Sequence, residues 1–136
     1  MHRYIALIDG EAGAYGVSFP DLPGCVAMAP TIDEAILRAA DALREFDADV
    51  TAGGGSIPPA TTMEQLRELP EAAAALRDGA TLVSVPLVRE TARSVKANLS
   101  INAGVLAALD AEASRRGLTR SALVEAMARR LLASDV

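Results

Sequence analysis

Three short runs of β-type residues open this 136-residue chain, and turn chemistry separates them. Tyr4 to Ile8 is the first run, Tyr15-Gly16-Val17-Ser18-Phe19 alternates as a second, and Cys25 to Ala29 can form a third. Asp9-Gly10-Glu11-Ala12-Gly13 supplies the first turn. Pro20-Asp21-Leu22-Pro23-Gly24 breaks pairing before the third run, because neither proline can donate to a ladder. The pattern therefore predicts a short antiparallel meander. The period then changes: Ile32, Ala35, Ile36, Ala39, Leu43, Phe46 and Val50 recur at three- and four-residue spacings, which predicts a helix to about Val50. Thr31 and Glu34 form a capping box at its start, and Gly53-Gly54-Gly55 ends it. A short helix is expected after Thr62 and another from Glu71 to Arg77, with Gly79 as its stop. Residues 80–87 have strand composition, and Pro86 places that strand at an edge or ends it. Residues 1–88 thus read as an α+β unit of order β-β-β-α-β, followed by a linker at 89–94.

Beyond the linker, Val95-Lys96-Ala97-Asn98-Leu99-Ser100-Ile101 alternates apolar and polar without a break. On a strand, Lys96, Asn98 and Ser100 share one face, and Val95, Ala97, Leu99 and Ile101 the other. Asn102 is a good N-cap for a helix carrying Val105, Leu106, Leu109 and Ala113 and ending at Gly117. Leu118-Thr119-Arg120-Ser121 starts a second helix that packs through Leu123, Val124, Met127, Leu131 and Leu132. A lone strand has an unpaired edge, and pairing it with the same strand of a second copy removes that edge. Residues 95–136 resemble a ribbon-helix-helix DNA-binding domain, β-α-α, that dimerises through its strand. Two antiparallel copies would present six polar side chains on a ribbon that fits the major groove, where Lys donates to guanine acceptors, Asn bonds an adenine edge at two points and Ser does either. Thr119 caps the second helix, the amides of Arg120, Ser121 and Ala122 make an anion site, and Arg120 adds a full charge. In that family this helix start, Thr119, Arg120 and Ser121 here, clamps a phosphate. An amphipathic edge strand and a simple helical hairpin are the plainer alternatives.

Charge sharpens the division. Residues 1–90 hold six arginines against fourteen carboxylates, net -8, whereas residues 91–136 hold six arginines and Lys96 against four carboxylates, net +3. An acidic part joined to a basic one suits two partners of opposite charge, the basic part fitting a phosphate backbone. About half of the residues are apolar, but with two Phe, two Tyr and no Trp the core must be aliphatic and alanine-rich. The single Cys25 rules out an internal disulfide framework and fits a reducing compartment. No apolar run is long enough for a membrane span and the first residues do not make a signal peptide, so a cytoplasmic protein without membrane contact is expected.

Tyr4-Ile5-Ala6, the run Tyr15-Gly16-Val17-Ser18-Phe19-Pro20-Asp21-Leu22-Pro23-Gly24-Cys25, and Thr31-Ile32-Asp33-Glu34-Ala35 together resemble the N-terminal domain of HicB-like antitoxins. That resemblance implies a partial ribonuclease H fold without nuclease activity. It also implies a partner: a small basic toxin, HicA, with a double-stranded-RNA-binding fold, which the antitoxin covers. The expected contact is the Phe19 to Cys25 loop with Asp9, Glu11 and Asp21, naming Phe19, Leu22 and Cys25 within the loop; a rigid connector is the alternative for that loop. Catalysis is not expected. A ribonuclease H site needs carboxylates converging on two metal ions, while Asp9, Glu11, Asp21 and Asp33 have uses as turn formers or caps. The only histidine, His2, lies at an end expected to fray, and Cys25 is expected to be a small buried residue. No cofactor and no metal are implied. The resulting expectation is an antitoxin that neutralises a HicA-type toxin and, as a dimer, binds operator DNA to regulate its own operon; front domains that pair would make a tetramer. The alternatives are a stand-alone ribbon-helix-helix repressor whose front domain senses a ligand or mediates assembly, and a metal-dependent ribonuclease.

Overall fold

Four strands make one antiparallel sheet: β1 (His2–Glu11), β2 (Ala14–Ser18), β3 (Val26–Ala29) and β4 (Thr81–Leu87), in the order β3-β2-β1-β4. They belong to the first of two compact units in the computed structural model, which describes residues 2–91 and 93–134; this unit comprises the residues to Arg89 together with those from Ala133 on, and the other spans Glu90–Leu132. β1 is longer at both ends than its apolar run. It pairs with β4 from His2↔Leu87 to Ile8↔Thr81 and with β2 as far as Glu11↔Ala14, so His2 is held in the ladder rather than frayed. The expected turn accordingly shrinks to Ala12 and Gly13. Gly10 stays in the strand with φ +91, where a Cβ would stand 2.4 Å from the Ala14 carbonyl oxygen, so no side chain fits there. β4 is an edge strand that continues through Pro86 to Leu87, the edge position being what tolerates the missing amide.

The register sorts the sheet into two faces. Ile8, Val17 and Ala27 share one row, and Tyr15 and Ala29 a neighbouring one, all packed against helix α1 (Ile32–Ala52). Ala35, Ala39 and Leu43, at four-residue spacings, are buried on α1 with Ile36 and Phe46 beside them. Thr31 Oγ1 accepts the Glu34 amide at 3.2 Å, but the Glu34 carboxylate pairs with Arg38 instead of completing the expected capping box. The complete box is at α2 (Met63–Glu68), between Thr62 and Gln65. α3 (Pro70–Arg77) starts on its proline, as the fixed φ of that residue favours.

On the opposite face, Leu66 of α2 and Ala72 of α3 pack with Ile5, Leu7 and Ala80, and with Leu82 at their margin. The α2–α3 pair thus covers the β1–β4 half of this face. The β2–β3 half, where Ser18, Val26, Gly16 and Met28 point, keeps Val26 and Met28 exposed.

In the second unit, α4 (Ala103–Arg116) and α5 (Arg120–Ser134) form as their caps dictate. Asn102 Oδ1 accepts from Gly104 N and Val105 N, and Gly117, at φ 67, closes α4 with Leu118 N donating to Ala113 O at 2.8 Å. Residues 95–101 are in neither helix nor strand. The strand expected there is not formed within the single chain, because a ladder needs a second strand and no strand among the described residues pairs with it.

Candidate functional site

Every side chain from Val95 to Ser100 is exposed, on both the polar and the apolar side of the alternation. Val95 keeps 74% and Leu99 69% of their accessible surface, and Ile101 is half-buried. Within the same unit, an open cavity of about 750 Å³ is lined by Asn98, Leu99, Ile101, Leu106, Arg120 and Val124. It also takes in Ser100 and Ser121. The structure therefore brings together four of the six residues expected to contact DNA, whereas Lys96 and Thr119 are not part of that lining.

The start of α5 differs from the expected anion site in two ways. Thr119 Oγ1 accepts the Ala122 amide at 3.1 Å, so one of the three amides is engaged by the cap itself. Arg120 forms a two-point ion pair with Asp110 of α4, Nε to Oδ1 and Nη2 to Oδ2 at 2.8 Å each, in place of an open guanidinium. The hydrogen bond from Arg120 holds the Asp110 carboxyl below its ordinary range, so the pair persists at neutral pH. Glu112 likewise accepts from Arg115 and Arg116, whose hydrogen bonds bring its carboxyl down to about 2. Arg129 bonds Glu90 and Glu125. Four of the seven cations of residues 91–136, Arg115, Arg116, Arg120 and Arg129, are thus already paired with carboxylates.

In the front unit, the expected contact residues separate into two groups. Phe19, Leu22 and Cys25 are buried in the α1 core, because Phe19 N→Cys25 O, Leu22 N→Phe19 O and Cys25 N→Leu22 O fold the loop into a tight turn aimed inward. Their side chains are not presented to a partner, which corrects that part of the expectation. Burial pushes the Cys25 thiol up to about 11. Asp21 is half-buried and accepts from Thr61 through both its amide, at 2.8 Å, and its hydroxyl, at 2.6 Å, which ties this loop to the segment before α2. Asp9 and Glu11 remain exposed.

Other features were not legible beforehand. Val26 and Met28 are 63% and 68% exposed on the uncovered half of the sheet; Val26 to Ala29 are all apolar, so the run itself does not say which face a helix covers. Asp47, buried on α1, accepts from Arg89 Nε and Nη2 at 3.0 and 3.2 Å across 42 residues of sequence. Near this pair, Tyr4 donates to Pro58 O at 2.6 Å, and burial raises its hydroxyl pKa. Among the described residues no three His, Cys, Asp or Glu side chains converge as metal ligands would, and no helix is long and apolar enough to cross a membrane.

A family model described as the HicB_like antitoxin of bacterial toxin-antitoxin systems matches residues 4–128. The crystal structure of the Burkholderia Pseudomallei antitoxin HicB is 28% identical with a TM-score of 0.58, over 97% of this chain and 99% of that one. A HicA3 and HicB3 toxin-antitoxin complex contains a chain of the same fold, 20% identical with a TM-score of 0.53, over 63% of this chain and 98% of that one. An uncharacterized 14.9 kDa protein in the rep-hol intergenic region of Haemophilus phage HP1 is 28% identical over 107 residues, 79% of this chain and 78% of the phage protein.

Proposed function

The chain belongs to the HicB_like antitoxins of bacterial toxin-antitoxin systems, and from that membership we propose that its front unit binds and silences a small basic RNA-cleaving toxin of the HicA kind, while its tail binds operator DNA as a dimer and represses its own operon. The net charge of -8 over residues 1–90 supports the first role, since it steers a cationic, RNA-seeking protein and competes with phosphate. The fold neighbour solved as a HicA3 and HicB3 complex supports it too. No catalytic step is assigned to the chain.

The observation that carries the second role is the segment 95–101, which alternates in sequence, has no ladder partner and leaves Val95 and Leu99 in water. The helices beside it share this need. In the unit spanning Glu90–Leu132, Ala113 and Leu123 are buried among the described residues, while Val105, Met127 and Leu131 are exposed. Two short helices with so little core do not stand alone in water. A second copy supplies both the missing strand and the missing apolar surface, giving the ribbon-helix-helix arrangement. Lys96, Asn98 and Ser100 then read base edges, and Thr119, Arg120 and Ser121 hold a phosphate, Arg120 exchanging Asp110 for it.

The test uses the purified full chain. It is expected to co-purify with the basic protein of the neighbouring reading frame and to shift DNA from upstream of its own gene, with affinity falling steeply as salt rises. Failure to bind the neighbouring protein sinks the first role, and failure to shift that DNA in preference to unrelated DNA sinks the second.

A further inference from the structure

The uncovered half of the sheet carries more than stray apolar side chains. Leu7, Ser18 and Val26 lie in one row across β1, β2 and β3, and Asp9, Gly16 and Met28 lie in the next. Both rows face away from α1, on the side where α2 and α3 stop short of β2 and β3. Gly16 shapes the middle of the patch: a Cβ there would stand 2.8 Å from Asp9 Oδ1, so its absence lets the carboxylate lie across β2 toward Met28. Glu11 adds a second carboxylate on the same side of β1. The result is a shallow apolar shelf with an acidic centre.

The edges of the sheet argue against strand addition. Arg38 Nη1 donates to the Met28 carbonyl at 2.6 Å on the β3 edge, and Arg3 Nη1 donates to the Ser84 carbonyl at 3.4 Å on the β4 edge. Side chains thus occupy edge acceptors that an added strand would need, and Pro86 withholds an amide on the β4 side. What the structure leaves open is the face, not the edge.

We infer that this shelf, with Val26, Met28 and Asp9 at its centre, is the surface on which the front unit receives the cationic side chains of its toxin. The inference rests on the toxin-binding reading above and deepens it. An arginine or lysine suits the shelf because its aliphatic stem covers Met28 and Val26 while its head reaches the Asp9 carboxylate. Charge also selects against a second copy as occupant, since two units of net charge -8 repel. A toxin that uses cations to hold RNA phosphates would find a carboxylate where phosphate would otherwise sit, so docking here removes its grip on RNA.

The experiment is calorimetric titration of the full chain with the basic protein of the neighbouring reading frame. The double variant Val26→Lys/Met28→Lys places two cations on the shelf, at positions exposed enough to leave the fold intact, and should weaken binding by about 50-fold or more. Asp9→Asn, a near-isosteric change that keeps the measurement informative if the double variant misfolds, should weaken it about 5- to 10-fold and flatten its salt dependence. Glu45→Lys, at an exposed position on α1, changes net charge as much as the double variant and should stay within about threefold of the unsubstituted chain. Binding by both shelf variants within about threefold of the unsubstituted chain overturns this surface alone. So does a change of assembly state in the double variant without loss of toxin binding, which would assign the shelf to a second copy. Absence of binding by the unsubstituted chain overturns the toxin reading and this surface with it.

Discussion

Replacing Leu99 by serine should split the proposed dimer while leaving the front unit untouched. In the single chain Leu99 keeps 69% of its accessible surface, so roughly two thirds of its burial energy is still available to a partner. Full burial of a leucine side chain contributes about 1.5–3 kcal/mol, which leaves about 1–2 kcal/mol per copy. A two-fold axis makes each substitution count twice, for a loss of about 2–4 kcal/mol per dimer. The dimer dissociation constant should then rise about 30- to 1,000-fold. Sedimentation velocity over a concentration series measures that constant directly. Lys96→Ser is the control: it lies on the polar side of the same segment and should leave assembly unchanged while weakening DNA binding. An unchanged dimer constant for Leu99→Ser, or a monomeric unsubstituted chain at high concentration, would refute the argument that this segment pairs with itself.

Three further outcomes follow from the ion pairs and the buried thiol. Asp110→Asn releases Arg120 and removes a carboxylate beside the proposed phosphate site, so operator affinity at low salt should rise about 3- to 10-fold, while Arg120→Ala should weaken binding to all sequences and flatten its salt dependence; gel-shift titrations at two salt concentrations check both. Arg89→Ala should lower the melting temperature of the front unit more than Asp47→Ala, because it strands a carboxylate that is only 8% exposed whereas the reverse change returns a largely exposed guanidinium to water; the opposite order in thermal melts would contradict this. The folded Cys25 thiol titrates at about 11 against an ordinary 9.0, so between those values the native state keeps a proton that the unfolded chain releases. Its stabilising effect is full below pH 9 and is lost as pH rises through about 11, so the stability difference between the unsubstituted chain and Cys25→Ala, a constant packing loss at lower pH, should change with pH in that window alone, as denaturant melts at several pH values would show.

Local chemistry made much of the fold legible in the sequence. The four-residue spacing of Ala35, Ala39 and Leu43 gave α1, Gly53 its end, Thr62 the start of α2, and Pro86 the edge position of β4. What escaped depended on partners far away in sequence. β1 extends to His2 and Glu11 because β4 and β2 pair with it there, and Asp47 finds Arg89 only once α1 lies beside the end of β4. The candidate sites show the same limit. Phe19 and Leu22 read as part of a contact loop but turn inward through hydrogen bonds within that loop, and Cys25 is buried as a small core residue, as expected, whereas Val26, Met28 and Asp9 become neighbours through register. In the tail the pattern from Val95 to Ile101 was plain, but the pairing of Arg120 with Asp110 depends on how two helices meet.

The most direct measurement of the central claim is RNA cleavage by the neighbouring toxin, titrated with this chain at protein concentrations well above their dissociation constant. Cleavage should fall in proportion to added chain and cease at one front unit per toxin. Cleavage that continues at a tenfold excess of the folded chain would contradict the account.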